Sequence, residues 1–223
     1  MDNIKTIELT FVNAYLLSAG VDFVLIDTGL AMHREKLEKE LNEAGCYPGK
    51  LKLVLITHGD MDHAGNAAWL KEKYGCRIAL HENDLGLVEK GIQVKRKTKS
   101  IGSRLFFIIR RLFRKKFSFE KFTPDIFLSD GMRLNESGLS GTVYHLPGHT
   151  SGSVCILTED GNFFAGDIFT NRKRPETASL IENQEDLNKS YARIKTMDIK
   201  TVYPGHGKPF PMKEIIPQLL AVS

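Results

Sequence analysis

The sequence predicts an α/β fold of packed sheet layers, and three observations carry that prediction. Short apolar runs of strand length, rich in β-branched and aromatic residues, occur in both halves of the chain. Amphipathic stretches closed by glycine lie between them and read as helices. The 223 residues are 42% hydrophobic and 26% charged, enough apolar material for one sizeable core and too much for a disordered chain.

The elements follow in order. Residues 4–9, 12–17 and 22–27 read as strands, the third stopped by Thr28-Gly29. Residues 33–44 form an amphipathic helix with Leu37 and Leu41 on one face, ended by Gly45. Residues 51–56 are a buried-type strand that runs directly into Thr57-His58. A second helix, 64–74, carries Trp69 as a core residue and ends at Gly75, and residues 77–80 form a short strand leading to His81. Strands at 142–146, 153–157 and 162–165 are separated by Pro-Gly and Asp-Gly turns. A helix at 184–197, a strand at 201–203 and a helix at 212–221, irregular at Pro217, complete the pattern. Strands interspersed with helices in both halves indicate layers of sheet and helix.

Several classes are set aside. No run approaches the roughly 18 apolar residues of a spanning helix, and the first residues lack a basic-then-apolar signal region. Cys46, Cys76 and Cys155 are scattered and odd in number, which argues against a disulfide framework and for a reducing cytoplasmic setting. Neither a phosphate-binding P-loop nor a dinucleotide fingerprint occurs.

Polar anomalies gather where the strands end. The run Thr57-His58-Gly59-Asp60-Met61-Asp62-His63 sets two imidazoles and two carboxylates within six residues, donors suited to one or two divalent metals. Pro147-Gly148-His149-Thr150-Ser151 places a histidine between glycine turns. Ala165-Gly166-Asp167 ends an apolar strand in a carboxylate, and Tyr203-Pro204-Gly205-His206 ends another in a histidine. A single histidine in a turn is an ordinary surface residue; four of the seven histidines in such turns form a pattern.

This set resembles the metallo-β-lactamase-fold hydrolase superfamily, over nearly the whole chain and in the expected order. The resemblance implies an αβ/βα four-layer sandwich, two mixed sheets face to face with outer helices, as a single domain over 1–223. It also implies a dinuclear site that activates water. His58, Asp62, His63, His149, Asp167 and His206 match the family's metal ligands, and Asp27, in Ile26-Asp27-Thr28-Gly29, matches an element that supports them from behind. Asp60 departs, standing where the family carries a second histidine. By analogy, His58, Asp60 and His149 would hold one ion, Asp62, His63 and His206 the other, and Asp167 would bridge. Asp62 either orients the attacking water or binds the second ion. Asp60 either coordinates directly or is too short to reach. Zinc is the expected metal, with iron or manganese the alternative, since the added oxygen donor shifts preference toward harder ions. Thr57, Thr150 and Ser151 are expected to hydrogen-bond behind the ligands.

Net charge is +4, yet residues 88–122 hold twelve Lys and Arg against Glu89 and Glu120, leaving the remainder acidic. The same segment holds six of the thirteen phenylalanines, and Leu105, Ile108, Ile109 and Leu112 recur at helical spacing behind Ser103. Three readings stand. The segment is a helical insertion packed on the body, a lid over an apolar substrate through Phe106, Phe107 and Phe113, or a peripheral contact with anionic lipid. A nucleic-acid partner is not expected.

The functional expectation is a metal-dependent hydrolase of an ester, thioester, lactone or related bond in a small molecule, with an apolar acyl part suggested by the phenylalanines. The alternatives are a diiron redox protein of flavodiiron type without its flavodoxin domain, resembled through the carboxylate at Asp60, and a non-catalytic lipid-surface module.

Overall fold

The computed structural model describes residues 4–90, 97–98 and 120–221. The opening strands are β1 (Ile4–Leu9), β2 (Val12–Ala19) and β3 (Asp22–Ile26), paired antiparallel in succession. After helix α1 (Arg34–Glu43), strand β4 (Leu51–Leu55) lies parallel to β3. Helices α2 (Met61–Ala64) and α3 (Ala67–Tyr74) lead to β5 (Arg77–His81), parallel to β4, and then to helix α4 (Leu85–Lys90). A two-residue strand β6 (Lys97–Thr98) precedes β7 (Ile126–Leu128), which pairs parallel with β5 and completes a six-stranded sheet.

The second sheet is built from β8 (Gly141–His145), β9 (Val154–Thr158) and β10 (Asn162–Asn171), an antiparallel meander with β11 (Glu176–Thr177) on one end of β10. β12 (Leu180–Ile181) pairs with β6, and helix α5 (Gln184–Ile194) follows. β13 (Thr201–Gly207) returns parallel to β10, β14 (Phe210–Pro211) flanks it, and helix α6 (Ile216–Ala221) ends the described chain.

Strand periodicity divides the core into three layers. On β2, Ala14 and Leu16 face the outer helices with Leu37, Leu41 and Leu70, whereas Tyr15 and Leu17 face the other sheet. On β10, Phe163 and Ala165 pack with Leu187, Tyr191 and Ile215, while Phe164 turns inward to meet Tyr15, Val143 and Ile156. Two mixed sheets thus stack face to face with helices outside, the predicted four-layer sandwich. Each fully buried Leu, Ile or Phe stabilises it by about 1.5–3 kcal/mol.

Three differences from the sequence reading matter for the site. The expected helix 64–74 is two, because Gly65 passes so close to the backbone of Gly29 and Ala31 that any Cβ there would stand 2.6 Å from the Gly29 carbonyl oxygen. The strands expected to stop at 165 and 203 continue to Asn171 and Gly207, so Asp167 and His206 lie within strands and not in turns beyond them. The β10–β13 register shifts on either side of Gly166, whose φ is 50°. Such bulges re-aim side chains, which is how two strand residues come to face one site. Trp69 packs half-buried against the rim of the outer core, with the Arg34 guanidinium 5.1 Å from its ring. The three cysteines are free and buried. The helix expected behind Ser103, and the lid residues Phe106, Phe107 and Phe113, fall outside the described residues.

Candidate metal centre

Four histidines and three aspartates meet at the edge shared by the two sheets. Their ligand atoms form three groups, each within 4.8 Å: His58, Asp60 and His149; His58, His63 and Asp167; and Asp62, His63 and His206. β4 delivers Thr57 and His58 at its C-terminal end, and α2 presents Asp62 and His63 from its single turn. His149 comes from the loop between β8 and β9, Asp167 from β10 and His206 from β13.

Asp60 occupies the N-cap of α2, where an aspartate ordinarily accepts a bond from the first turn. Its side chain makes no capping bond. Instead Oδ2 lies 3.4 Å from His58 Nε2 and 3.2 Å from His149 Nε2. Across the site, Asp167 Oδ1 is 3.3 Å from His63 Nε2, and its Oδ2 is 3.3 Å from His206 Nε2 and 3.7 Å from His149 Nε2. Donors about 2.0–2.1 Å from a tetrahedral ion stand about 3.3 Å apart. Asp60, despite its short side chain, is within the distance coordination requires.

The far side of every imidazole is occupied by oxygen. His149 Nδ1 faces the Leu180 carbonyl at 2.8 Å, and His206 Nδ1 faces the Phe11 carbonyl. His63 Nδ1 bonds Asp27 Oδ2 at 2.8 Å, and His58 Nδ1 lies 3.0 Å from Thr57 Oγ1. Carbonyls and carboxylates only accept, so Nδ1 is the nitrogen that donates in His63, His149 and His206, which leaves Nε2 of each ring to face the site. Thr57 Oγ1 is within 2.8 Å of Asp27 Oδ2, so its hydroxyl donates there and accepts from His58. Four Nε2 atoms and three carboxylates then face one another, an arrangement that needs shared protons or cations. His58 Nε2, His63 Nε2 and Asp167 Oδ1 are buried without a hydrogen bond. These donors fit divalent ions.

The electrostatics point the same way. Burial opposes charge on His63 and His206, yet Asp27 and Asp167 raise His63, and Asp167 raises His206, above the ordinary imidazole range. Burial alone would raise Asp167; the charges of His206 and His63 hold it well below the carboxylate range. His58 is lowered by burial and by its neighbour His63. The pocket draws in positive charge.

Asp27 is the hub behind this arrangement. It sits at φ 59°, a left-handed conformation uncommon outside glycine. Its carboxylate accepts from the Thr57 amide at 2.8 Å as well as from the Thr57 hydroxyl and the His63 ring. Thr28 then binds the His63 carbonyl through its own amide, at 2.7 Å, and its hydroxyl, at 2.8 Å. Thr150 donates 2.8 Å to Asp84. Ser151 is exposed and enters through its backbone: its amide donates to Glu182 at 2.9 Å, and its carbonyl accepts from Asn83.

Two supports escaped the sequence reading. Asp84, 1% exposed, accepts from the amides of Gly59 at 2.7 Å and Gly152 at 2.8 Å, so one carboxylate ties the loop of His58 and Asp60 to the loop of His149. Asn13, buried on β2, donates to the carbonyls of Pro204 at 3.1 Å and Gly207 at 2.6 Å, while the Tyr15 hydroxyl binds Pro204 at 2.5 Å; together they fix the strand that carries His206. A polar Asn in an otherwise apolar strand was the available signal for Asn13. His81 stacks on His145 with ring centroids 3.9 Å apart, outside the cluster.

Face-to-face mixed sheets with a His/Asp cluster at their common edge define a candidate metalloprotein of the αβ/βα sandwich class. The chain belongs to the metallo-beta-lactamase superfamily, whose family profile matches residues 7–206. Members of this superfamily are mostly metal-dependent hydrolases with dinuclear sites. The chain is 29% identical over 202 residues to an uncharacterized protein of Mycobacterium leprae, covering 87% of this chain and 86% of that one. It is 24% identical over 215 residues to the acyl-coenzyme A thioesterase MBLAC2 of Bos taurus, covering 89% and 74%. A solved structure of TTHA1623 in a di-iron-bound form matches with a TM-score of 0.69 and 28% identity, covering 96% of each chain. No helix among the described residues is long and apolar enough to cross a membrane.

Proposed function

We propose that this protein is a metal-dependent thioester hydrolase. The observation that carries the reading is the set of four imidazoles, each backed by an oxygen on Nδ1 and each presenting Nε2 to the carboxylates of Asp60, Asp62 and Asp167. The resemblance to an acyl-coenzyme A thioesterase, covering 89% of the chain, supports the thioester as substrate.

In this reading His58, Asp60 and His149 hold one ion, Asp62, His63 and His206 the other, and Asp167 lies between them. The two ions would supply Lewis acidity at the acyl oxygen and a water acidified toward neutral pH. Asp62, a third exposed and 3.5 Å from His206 Nε2, is the most exposed of the three carboxylates, so it would either complete the second group or orient that water. Asp27 and Thr57 hold the rings of His63 and His58, and Asp84 with Thr150 keeps the His149 loop against the His58 loop. Asp60 makes the first group more anionic than three imidazoles would. Because harder ions prefer oxygen donors, iron stands beside zinc as the metal to assay.

The test is metal analysis of protein purified without chelators, followed by hydrolysis of ester, thioester and lactone panels. Two ions per chain and thioester cleavage abolished by chelation are expected. Full thioesterase activity in metal-free protein, or metal without hydrolysis anywhere in the panels, would overturn the reading.

A further inference from the structure

A second feature adjoins the His/Asp cluster without belonging to it. A cleft of about 800 Å³ opens beside His206, lined by Phe11, Arg172, Lys173, Arg174 and Lys208 among others. The two sites share a wall: the Phe11 carbonyl receives His206 Nδ1, and Gly207 and Lys208 follow His206 directly. The cleft floor is fixed by paired backbone, since the Lys208 amide donates to the Asn171 carbonyl at 3.1 Å and the Asn171 side chain donates to the Lys208 carbonyl at 2.9 Å.

The charges there are uncommitted. Arg174 pairs with Glu176 at 3.0 Å, but Arg172, Lys173 and Lys208 are exposed and have no ion-pair partner among the described residues. Glu8 and Glu214 also line the cleft, so its lining remains net positive. Three cations without partners, converging on a concave surface from two loops, form a field that concentrates anions. Phe11, 69% exposed, adds an aromatic wall.

We infer that this cleft holds the phosphate groups of the substrate's leaving group, so that the substrate is an acyl thioester of a phosphate-bearing thiol of the coenzyme A type. The inference rests on the thioesterase reading and names its substrate class. Arg172 follows β10 five residues beyond Asp167, about 16–17 Å at the rise of a strand. The pantetheine arm that separates sulfur from the first phosphorus spans about 15 Å when extended, the reach of four to five residues of extended chain. A thioester carbon at the His/Asp cluster and phosphates against Arg172, Lys173 and Lys208 are therefore compatible in length. On hydrolysis the water oxygen bonds to the acyl carbon, the carbon–sulfur bond breaks, and sulfur leaves as the thiol with a proton from that water. The cations stay bound to a group that does not react, which places their effect on binding.

Two measurements test this on the full chain. Calorimetric titration with free coenzyme A and with pantetheine, its phosphate-free arm, reads the cleft without any turnover. Hydrolysis of the same acyl group on each thiol reads the His/Asp cluster. Coenzyme A is expected to bind more tightly than pantetheine, in a salt-sensitive manner. The exposed-surface variant R172A/K173A/K208A is expected to weaken coenzyme A binding and raise KM for its thioester by about tenfold, leaving acyl-pantetheine turnover unchanged. Equal affinity for the two thiols, or coenzyme A binding indifferent to the triple substitution, overturns the inference even where acyl-pantetheine is cleaved and the hydrolase stands. Cation-dependent coenzyme A binding with neither thioester cleaved upholds the cleft and removes the hydrolase reading.

Discussion

At the scale of single residues, Asp60 is where the cluster departs from the family's histidine. An aspartate that declines its helix cap and turns its carboxylate to 3.2 Å from His149 Nε2 is held by something other than α2. Replacing it with alanine should lower the metal content toward one ion per chain, whereas Asp60→His should keep two and shift selectivity toward zinc; elemental analysis of both variants beside the parent checks this. Asp27 reaches its ligands indirectly. In Asp27→Asn the side chain can no longer accept from Thr57 and His63 at once, and loss of such support commonly weakens metal affinity by about 10–100-fold. Competition against a chromogenic chelator would measure it, and unchanged affinity would show that His63 needs no such partner. The His and Asp residues of the cluster were legible because they gather where apolar runs end, five of the seven directly beside glycine and Asp62 and His63 in the same short run as His58 and Asp60. Asp84 was not, since it joins segments far apart in sequence and nothing local announces that; Asn13 stood out only as a polar residue in an apolar strand, with no local sign of what it binds. For Ser151 the position beside His149 was legible, but not that its bonds to Glu182 and Asn83 run through its backbone.

At the scale of elements, most of the strand and helix order followed from apolar periodicity, though α4 and β7 were not read, and element ends were misplaced where the site bends them. β10 and β13 were cut short because Gly166 and Gly205 look like stops. In the fold they are points of close approach: a Cβ on Gly205 would stand 2.6 Å from both Asp167 Oδ1 and His63 Cε1. Gly205→Ala should therefore empty or distort the metal site with little change in secondary structure, read by metal content against circular dichroism. Asp84 works at the same scale by joining two loops. Asp84→Ala would strand the Gly59 and Gly152 amides and the Thr150 hydroxyl, a cost on the order of 3 kcal/mol, while Asp84→Asn keeps the shape and should cost less. Denaturant melts of both variants separate the two outcomes. Arg193 on α5 holds Asp130 through two bonds of 2.7 and 3.0 Å, and Asp130 in turn accepts from the His145 amide on β8 at 2.9 Å. The bond to Arg193 holds the Asp130 carboxyl below its ordinary range, so its contribution is complete above the unfolded value and is lost as pH falls through the folded one. Both side chains are substantially exposed, so Asp130→Asn should cost under about 1 kcal/mol near neutral pH and flatten the acid limb of stability slightly.

For the molecule as a whole, the two sheets meet along a core that is apolar everywhere except the edge where the four histidines and three aspartates converge. Tyr15, Phe164 and Tyr203 pack at 5.0–5.4 Å directly beneath that edge, so the cluster rests on a rigid floor. Such a floor cannot collapse to separate Asp167 from Asp60 or Asp62 when cations are withdrawn. Like charges are then left close together in a desolvated place, and β10, β13 and both ligand loops share the strain. Ions bound only by the folded chain stabilise it by about 4 kcal/mol at a thousandfold excess over their dissociation constant. For a domain of this size each kcal/mol moves Tm by roughly 2–4 °C. Chelation should therefore lower Tm by roughly 10 °C, reversibly on adding back zinc or ferrous iron. Differential scanning calorimetry of chelated and reconstituted protein would show it. The size of the recovery with each metal ranks their affinities without reference to any substrate. An unchanged Tm would mean that shared protons alone hold the cluster together, and the His/Asp set would then be a structural network with no claim on metal.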